Sequence, residues 1–169
     1  MSRAFVKESD GDQPGDELPE RPQSPHPNYV TASGLRALQE QHAKLLEEKR
    51  HLTESGEPEM LDKEHLKLVE RDLRYFKERI ERAVLIDPAS QPPDKVGFGA
   101  QVECVDDNDE KHKFRIVGED EADPKQGRIS WVSPLAKTLN GASVGDTVTW
   151  KRPTGDLGLE ILSLKYPKD

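Results

Sequence analysis

Cysteine occurs once in 169 residues, at Cys104. No intrachain disulfide can form, and a cysteine-rich metal site is excluded. A lone thiol in an alternating apolar stretch reads as a small core residue rather than a reactive one. No apolar run approaches the ~18 residues that would signal a membrane-spanning helix. The first residues, Met1 to Glu8, lack the apolar centre of a secretory signal, so the cytoplasm is the expected compartment. Bulky apolar side chains are scarce. Aromatics make up 5% of the chain and the hydrophobic set 33%, against 34% charged residues. That balance is too polar for one large core and suits an elongated molecule with a small packed domain. Positive charge is in the minority as well, with 25 Lys and Arg against 33 Asp and Glu. The net charge of −8 argues against a nucleic-acid backbone as the main partner, because phosphate binding needs concentrated positive charge.

What is present divides the chain. Residues 1–28 carry Pro14, Pro19, Pro22, Pro25 and Pro27, too many for a helix or a central strand, and are expected to form an extended or disordered leader. Residues 29–87 read as a helical hairpin. Thr31 can cap a first helix, whose seam runs Leu35, Leu38, His42, Leu45, Lys49, Leu52 at alternating spacings of three and four. Ser55-Gly56-Glu57-Pro58 supplies the break, with Gly after one helix and Pro before the next. A second seam follows at Leu66, Val69, Leu73, Phe76, Ile80 and Ala83. Two such stripes can bury each other as an antiparallel coiled coil, with arms of about 33 Å and about 40 Å at 1.5 Å per residue.

Residues 88–95 hold three prolines and read as a linker. Residues 96–169 switch to a period of two. Strands are expected at 99–105, 112–118, 127–132, 147–152 and 157–165, with a short helix over 133–139 capped by Ser133 and stopped by Asn140-Gly141. The fold class is therefore α+β: a helical hairpin followed by a small antiparallel sheet with one helix.

The C-terminal runs Phe98-Gly99-Ala100, Phe114 to Asp123, Ile129 to Ala136 and Gly141 to Asp146 resemble the C-terminal domain of the bacterial GreA/GreB family. Tyr29 to Leu35 resembles the start of the Gre hairpin, and Arg74 to Asp87 its end. The resemblance implies an FKBP-like C-terminal domain that docks at the rim of the RNA polymerase secondary channel. The hairpin would enter that channel, and nucleic acid would be met only through the polymerase. Carried over residue by residue, the docking surface would be Ser133, Pro134, Leu135, Ala136 and Lys137. In the family an acidic tip helps hold a second Mg²⁺ for hydrolysis of backtracked RNA, with the polymerase supplying the remaining machinery.

The tip departs from the family pattern. A Gly-Asp-x-x-Glu-Asn run with a following aromatic is absent, and the hairpin is shorter than a Gre hairpin by a turn or two per arm. The carboxylates available are Glu54, Glu57, Glu59 and Asp62. Glu57 and Glu59 are the candidate substitute ligands for a Mg²⁺ shared with the polymerase. The plainer reading is a solvated turn whose acids complement the dipole of the second helix. Glu119 to Asp123 reads as a solvated acidic loop. Trp131 and Trp150 read as packing residues, and the histidine spacing gives no zinc site. No autonomous active site is visible. Three functions remain: a polymerase-binding elongation regulator, a transcript-cleavage stimulator, and a regulator resembling Rnk, which shares the C-terminal domain with a shortened hairpin.

Overall fold

The computed structural model describes residues 18–54, 56 and 59–169. Most of the leader and the tip candidate Glu57 therefore lie outside the described residues. The chain opens with a short strand, β1 (Asn28–Val30), and two long helices, α1 (Ala32–Glu54) and α2 (Met60–Glu81). Thr31 caps α1 as its sequence suggests, its hydroxyl accepting from the Gly34 amide at 3.1 Å.

The heptad seams close on each other. Leu45, Val69 and Leu73 are buried, with Leu52 and Phe76 packed against them. One polar seam position is paired across the interface: the Lys49 ammonium lies 3.4 Å from Glu70. One position off the seam, His65 reaches Glu48 at 2.6 Å.

The second arm is shorter than its periodicity suggests. At 22 residues it spans about 33 Å. The apolar run at its end is strand β2 (Ala83–Leu85), which pairs in parallel with β1 through Tyr29 and Val84. A helix cannot continue through residues whose amides and carbonyls are committed to a ladder. This two-stranded pairing closes the hairpin at its root.

Beyond a 3₁₀ turn at Pro88–Ser90, five strands form one sheet: β3 (Gln101–Asp106), β4 (Lys111–Val117), β5 (Arg128–Ser130), β6 (Thr147–Trp150) and β7 (Leu157–Lys165). Their order is β5-β4-β3-β7-β6. All pairs are antiparallel except β4 with β5, which run parallel. The Glu119–Glu121 and Pro124–Gln126 turns between them carry the chain back so that β5 runs beside the end of β4, with Arg128 opposite Arg115.

Helix α3 (Pro134–Leu139) packs on the sheet, capped by the Ser133 hydroxyl, which accepts from the Ala136 amide. The core gathers Val102, Cys104, Ile116, Leu139, Leu159 and Ile161, each at most 2% exposed, and Phe114 and Trp150 close its margin. Alternation along β3 (Val102 and Cys104 in, Glu103 out) is the period of two in physical form. No helix among the described residues is long and apolar enough to cross a membrane.

Candidate functional site

A hairpin can act as a probe only if its root is held. Here the root is locked to the sheet domain by buried polar groups. Arg79, near the end of α2, is 1% exposed. Its guanidinium donates to Asp120 at 3.0 and 2.7 Å and to the side-chain oxygen Oδ1 of Asn28 at 2.7 Å. Asn28 returns the contact, its side-chain amide donating to the Arg79 backbone carbonyl at 2.7 Å.

Beside this network, Glu121 reaches the N-terminus of α1. Its carboxylate takes a close hydrogen bond from the Thr31 hydroxyl and longer ones from the Thr31 and Gly118 amides. Negative charge at a helix N-terminus is stabilising, because the first-turn amides there lack partners within the helix.

Two glycines permit the approach. A Cβ on Gly118 would stand 2.4 Å from the Tyr29 carbonyl, and one on Gly34 would stand 2.2 Å from the Glu121 carboxyl carbon. From the other side, Asp169 accepts from the Ser33 amide and from Arg115. The acidic run Glu119 to Glu121 is therefore half of a joint, where the sequence suggested a solvated loop. Arg79 sits one residue before the seam position Ile80 and was hidden by it. The readable signal was an arginine beside an apolar seam and an acidic run after a strand, separated by 40 residues of chain that no local period connects.

The tip is built differently. Glu54 ends α1 and forms a close ion pair with Arg50, which also grips Glu47. Those hydrogen bonds lower the Glu47 pKa below the usual carboxylate range and raise that of Arg50. Gly56 turns the chain at φ +94°, the left-handed conformation that favours glycine. Glu59 stands at the N-cap of α2 and Asp62 in its first turn; both are exposed and neither forms an ion pair among the described residues. Met60 and Leu61 between them are each 79% exposed.

Among the described residues the tip carboxylates do not gather into a cation site, and the candidate Glu57 lies outside them. Glu54 is engaged by Arg50, and the described tip carboxylates do not converge with a third ligand. Mg²⁺ demands near-octahedral oxygen coordination at about 2.1 Å. Among the described residues, three possible metal-ligating groups come together only at Asp106, Glu110 and His112, in the turn between β3 and β4. That grouping has a structural duty. Asp106 accepts from the Asn108 and Glu110 amides and from the His112 ring, and so fixes the turn.

The run Ser133 to Lys137 splits by burial. Leu135 and Ala136 are 5% and 2% exposed and belong to the core, and Ser133 is half-buried in its capping role. Within the run only Pro134 and Lys137 are exposed. Of the side chains that the resemblance implies for docking, those two face solvent, while the buried pair anchors the helix in the core. Cys104 is fully buried, and burial pushes its thiol up to about 11, as suits a core residue. Trp131 packs on Tyr29 with ring centroids 4.9 Å apart, and Trp150 on Phe114 at 6.3 Å.

The family described as transcription elongation factor GreA/GreB, C-terminal, matches residues 91–166. Transcription elongation factor GreB of Neisseria meningitidis serogroup B is 34% identical over 156 residues, covering 83% of this chain and 95% of that protein. Transcription elongation factor GreA of Nitratiruptor is 36% identical over 136 residues, covering 77% of this chain and 83% of that one. Among solved structures, GreA factor homolog 1 of Thermus thermophilus aligns over 82% of this chain and 99% of its own at 22% identity, with a TM-score of 0.39.

Proposed function

The chain belongs to the GreA/GreB family of transcription elongation factors, and we propose that it binds RNA polymerase through its C-terminal domain and inserts the hairpin into the secondary channel. There it modulates paused or backtracked complexes without catalytic machinery of its own. The observation that supports this reading is a hairpin fixed at its root by Arg79, Asp120 and Glu121, with Met60 and Leu61 exposed at its far end. A fixed hairpin can occupy a channel by shape. Occupancy alone changes which states of the transcript are accessible, because the channel cannot hold hairpin and displaced RNA together.

A second reading, stimulation of transcript cleavage, is favoured by one feature. Glu59 and Asp62 are exposed at the tip and lack an ion-pair partner among the described residues. In that reading Mg²⁺ is shared with the polymerase, which supplies most of its ligands.

A backtracked polymerase complex with Mg²⁺ separates the two. The proposal expects binding without release of short 3′ RNA fragments, and exclusion of a cleavage-competent Gre factor in proportion to occupancy. Fragment release that vanishes in a Glu57→Ala, Glu59→Ala variant would establish the second reading instead. Simultaneous binding with a Gre factor would rule out the channel.

A further inference from the structure

Residues 18–27 were expected to be part of an extended leader with no set role. They lie along α2 with a period of three. Leu18, Arg21 and Ser24 are half-buried, while Pro19, Pro22 and Pro25 face solvent. A three-residue period with no backbone–backbone hydrogen bond inside the segment matches polyproline II. A proline on the outer face has no amide to leave unsatisfied there, and its fixed φ removes freedom from the unfolded chain.

The inner face is densely engaged. The Arg21 guanidinium lies over the Tyr75 ring at 3.9 Å and the Phe76 ring at 5.4 Å, and pairs with Asp72 at 3.4 Å. Glu20 holds Arg74 in a forked contact at 2.6 to 3.1 Å. The Gln23 side-chain amide donates to the Tyr75 carbonyl, and Arg82 donates to the Ser24 carbonyl. The segment then crosses to the other domain: the His26 ring meets Trp131 edge-on at 5.9 Å. Tyr29 follows, against Trp131 and Phe98. Arg21 also lines a groove of about 610 Å³ between hairpin and sheet domain, with Tyr75, Phe76, Asp120, Glu121 and Arg128.

We infer that residues 18–27 are a preorganised brace that fixes the direction of the hairpin relative to the sheet domain. One end grips α2 from Asp72 to Arg82, and the other bears on Trp131. The joint at Arg79 and Glu121 pins a point. A second attachment along the arm is what fixes an angle. Arg21 is the principal positioning residue, because one side chain combines aromatic stacking with the ion pair to Asp72. The prolines act through stiffness, since their side chains face away from the hairpin.

The test is a spin-label distance in the full chain, with probes at Lys63→Cys near the tip and Thr149→Cys on β6. Cys104 is buried and stays unlabelled. The parent should give one narrow distance distribution. Glu20→Ala with Arg21→Ala should widen it roughly twofold or add a second population, with the unfolding of the sheet domain unchanged. Pro19→Gly with Pro22→Gly and Pro25→Gly, which keeps every inner-face contact, should also widen it. Glu40→Ala with Lys44→Ala, on the exposed face of α1, should not. An unchanged distribution in the Glu20, Arg21 variant overturns the brace, and one in the proline variant overturns its preorganisation. The readout contains no polymerase, so it stands or falls separately from the proposed function.

Discussion

At the root of the hairpin, Arg79 is 1% exposed and bonded to two other segments of the chain. At the tip, Met60 and Leu61 are each 79% exposed, and Glu54 pairs with Arg50 in open solvent. Both ends are rich in charge, yet the charge does different work. Buried and bonded, it fixes geometry, because removing one partner strands the other away from water. Exposed, it is screened, and it leaves the surface free to meet something else. The molecule is rigid where its two parts join and bare where it ends, which is the construction a probe requires.

The comparison can be broken at the root first. Arg79→Ala should cost about 3 kcal/mol, since it leaves Asp120 and Asn28 without their shared donor. Urea unfolding should show the loss, and the hairpin should melt ahead of the sheet domain. Midway along the arm, Leu73→Ala removes a buried seam side chain and should cost about 2 kcal/mol, less than in a deep core because the seam is narrow. In the sheet domain, Ser133→Ala removes the cap of α3 and should cost about 1 kcal/mol.

Acid should act on the sheet domain through Asp106. The His112 hydrogen bond, backed by the Glu110 and Asn108 amides, holds its carboxyl below the ordinary value of 3.8. The stabilisation is complete above that value and is lost as pH falls through the depressed one. An Asp106→Asn variant should therefore show a shallower fall in Tm between neutral pH and strong acid than the parent. At the tip, Arg50→Ala should leave Tm unchanged, as an exposed pair in water contributes little.

Much of this was legible in the residues. The paired seams at Leu38, Leu45, Val69 and Leu73, the Thr31 and Ser133 caps, and the alternation through β3 are all local periods, and the structure shows each. The β1–β2 pairing was missed because three-residue strands show too little period to separate them from the ends of helices. The joint was missed for another reason. Thr31 meets Glu121 across 90 residues, and Arg79 meets Asp120 across 41. No pattern in a charged side chain announces a distant partner. The brace was half legible: the proline spacing marked an extended segment, while its docking depended on Arg21 finding Tyr75. In the run Ser133 to Lys137, where the family resemblance implies a docking surface, sequence could not separate the exposed Pro134 and Lys137 from the buried Leu135 and Ala136.

The central claim is that a rigidly mounted hairpin enters the polymerase channel. Its most direct test is an iron chelate tethered at Thr53→Cys on the tip, with hydroxyl-radical scission mapped on a backtracked polymerase. The account predicts cuts confined to segments lining the secondary channel and to the RNA 3′ end, lost when a Gre factor competes. Cuts scattered over the outer surface, or none above the untethered control, would contradict it.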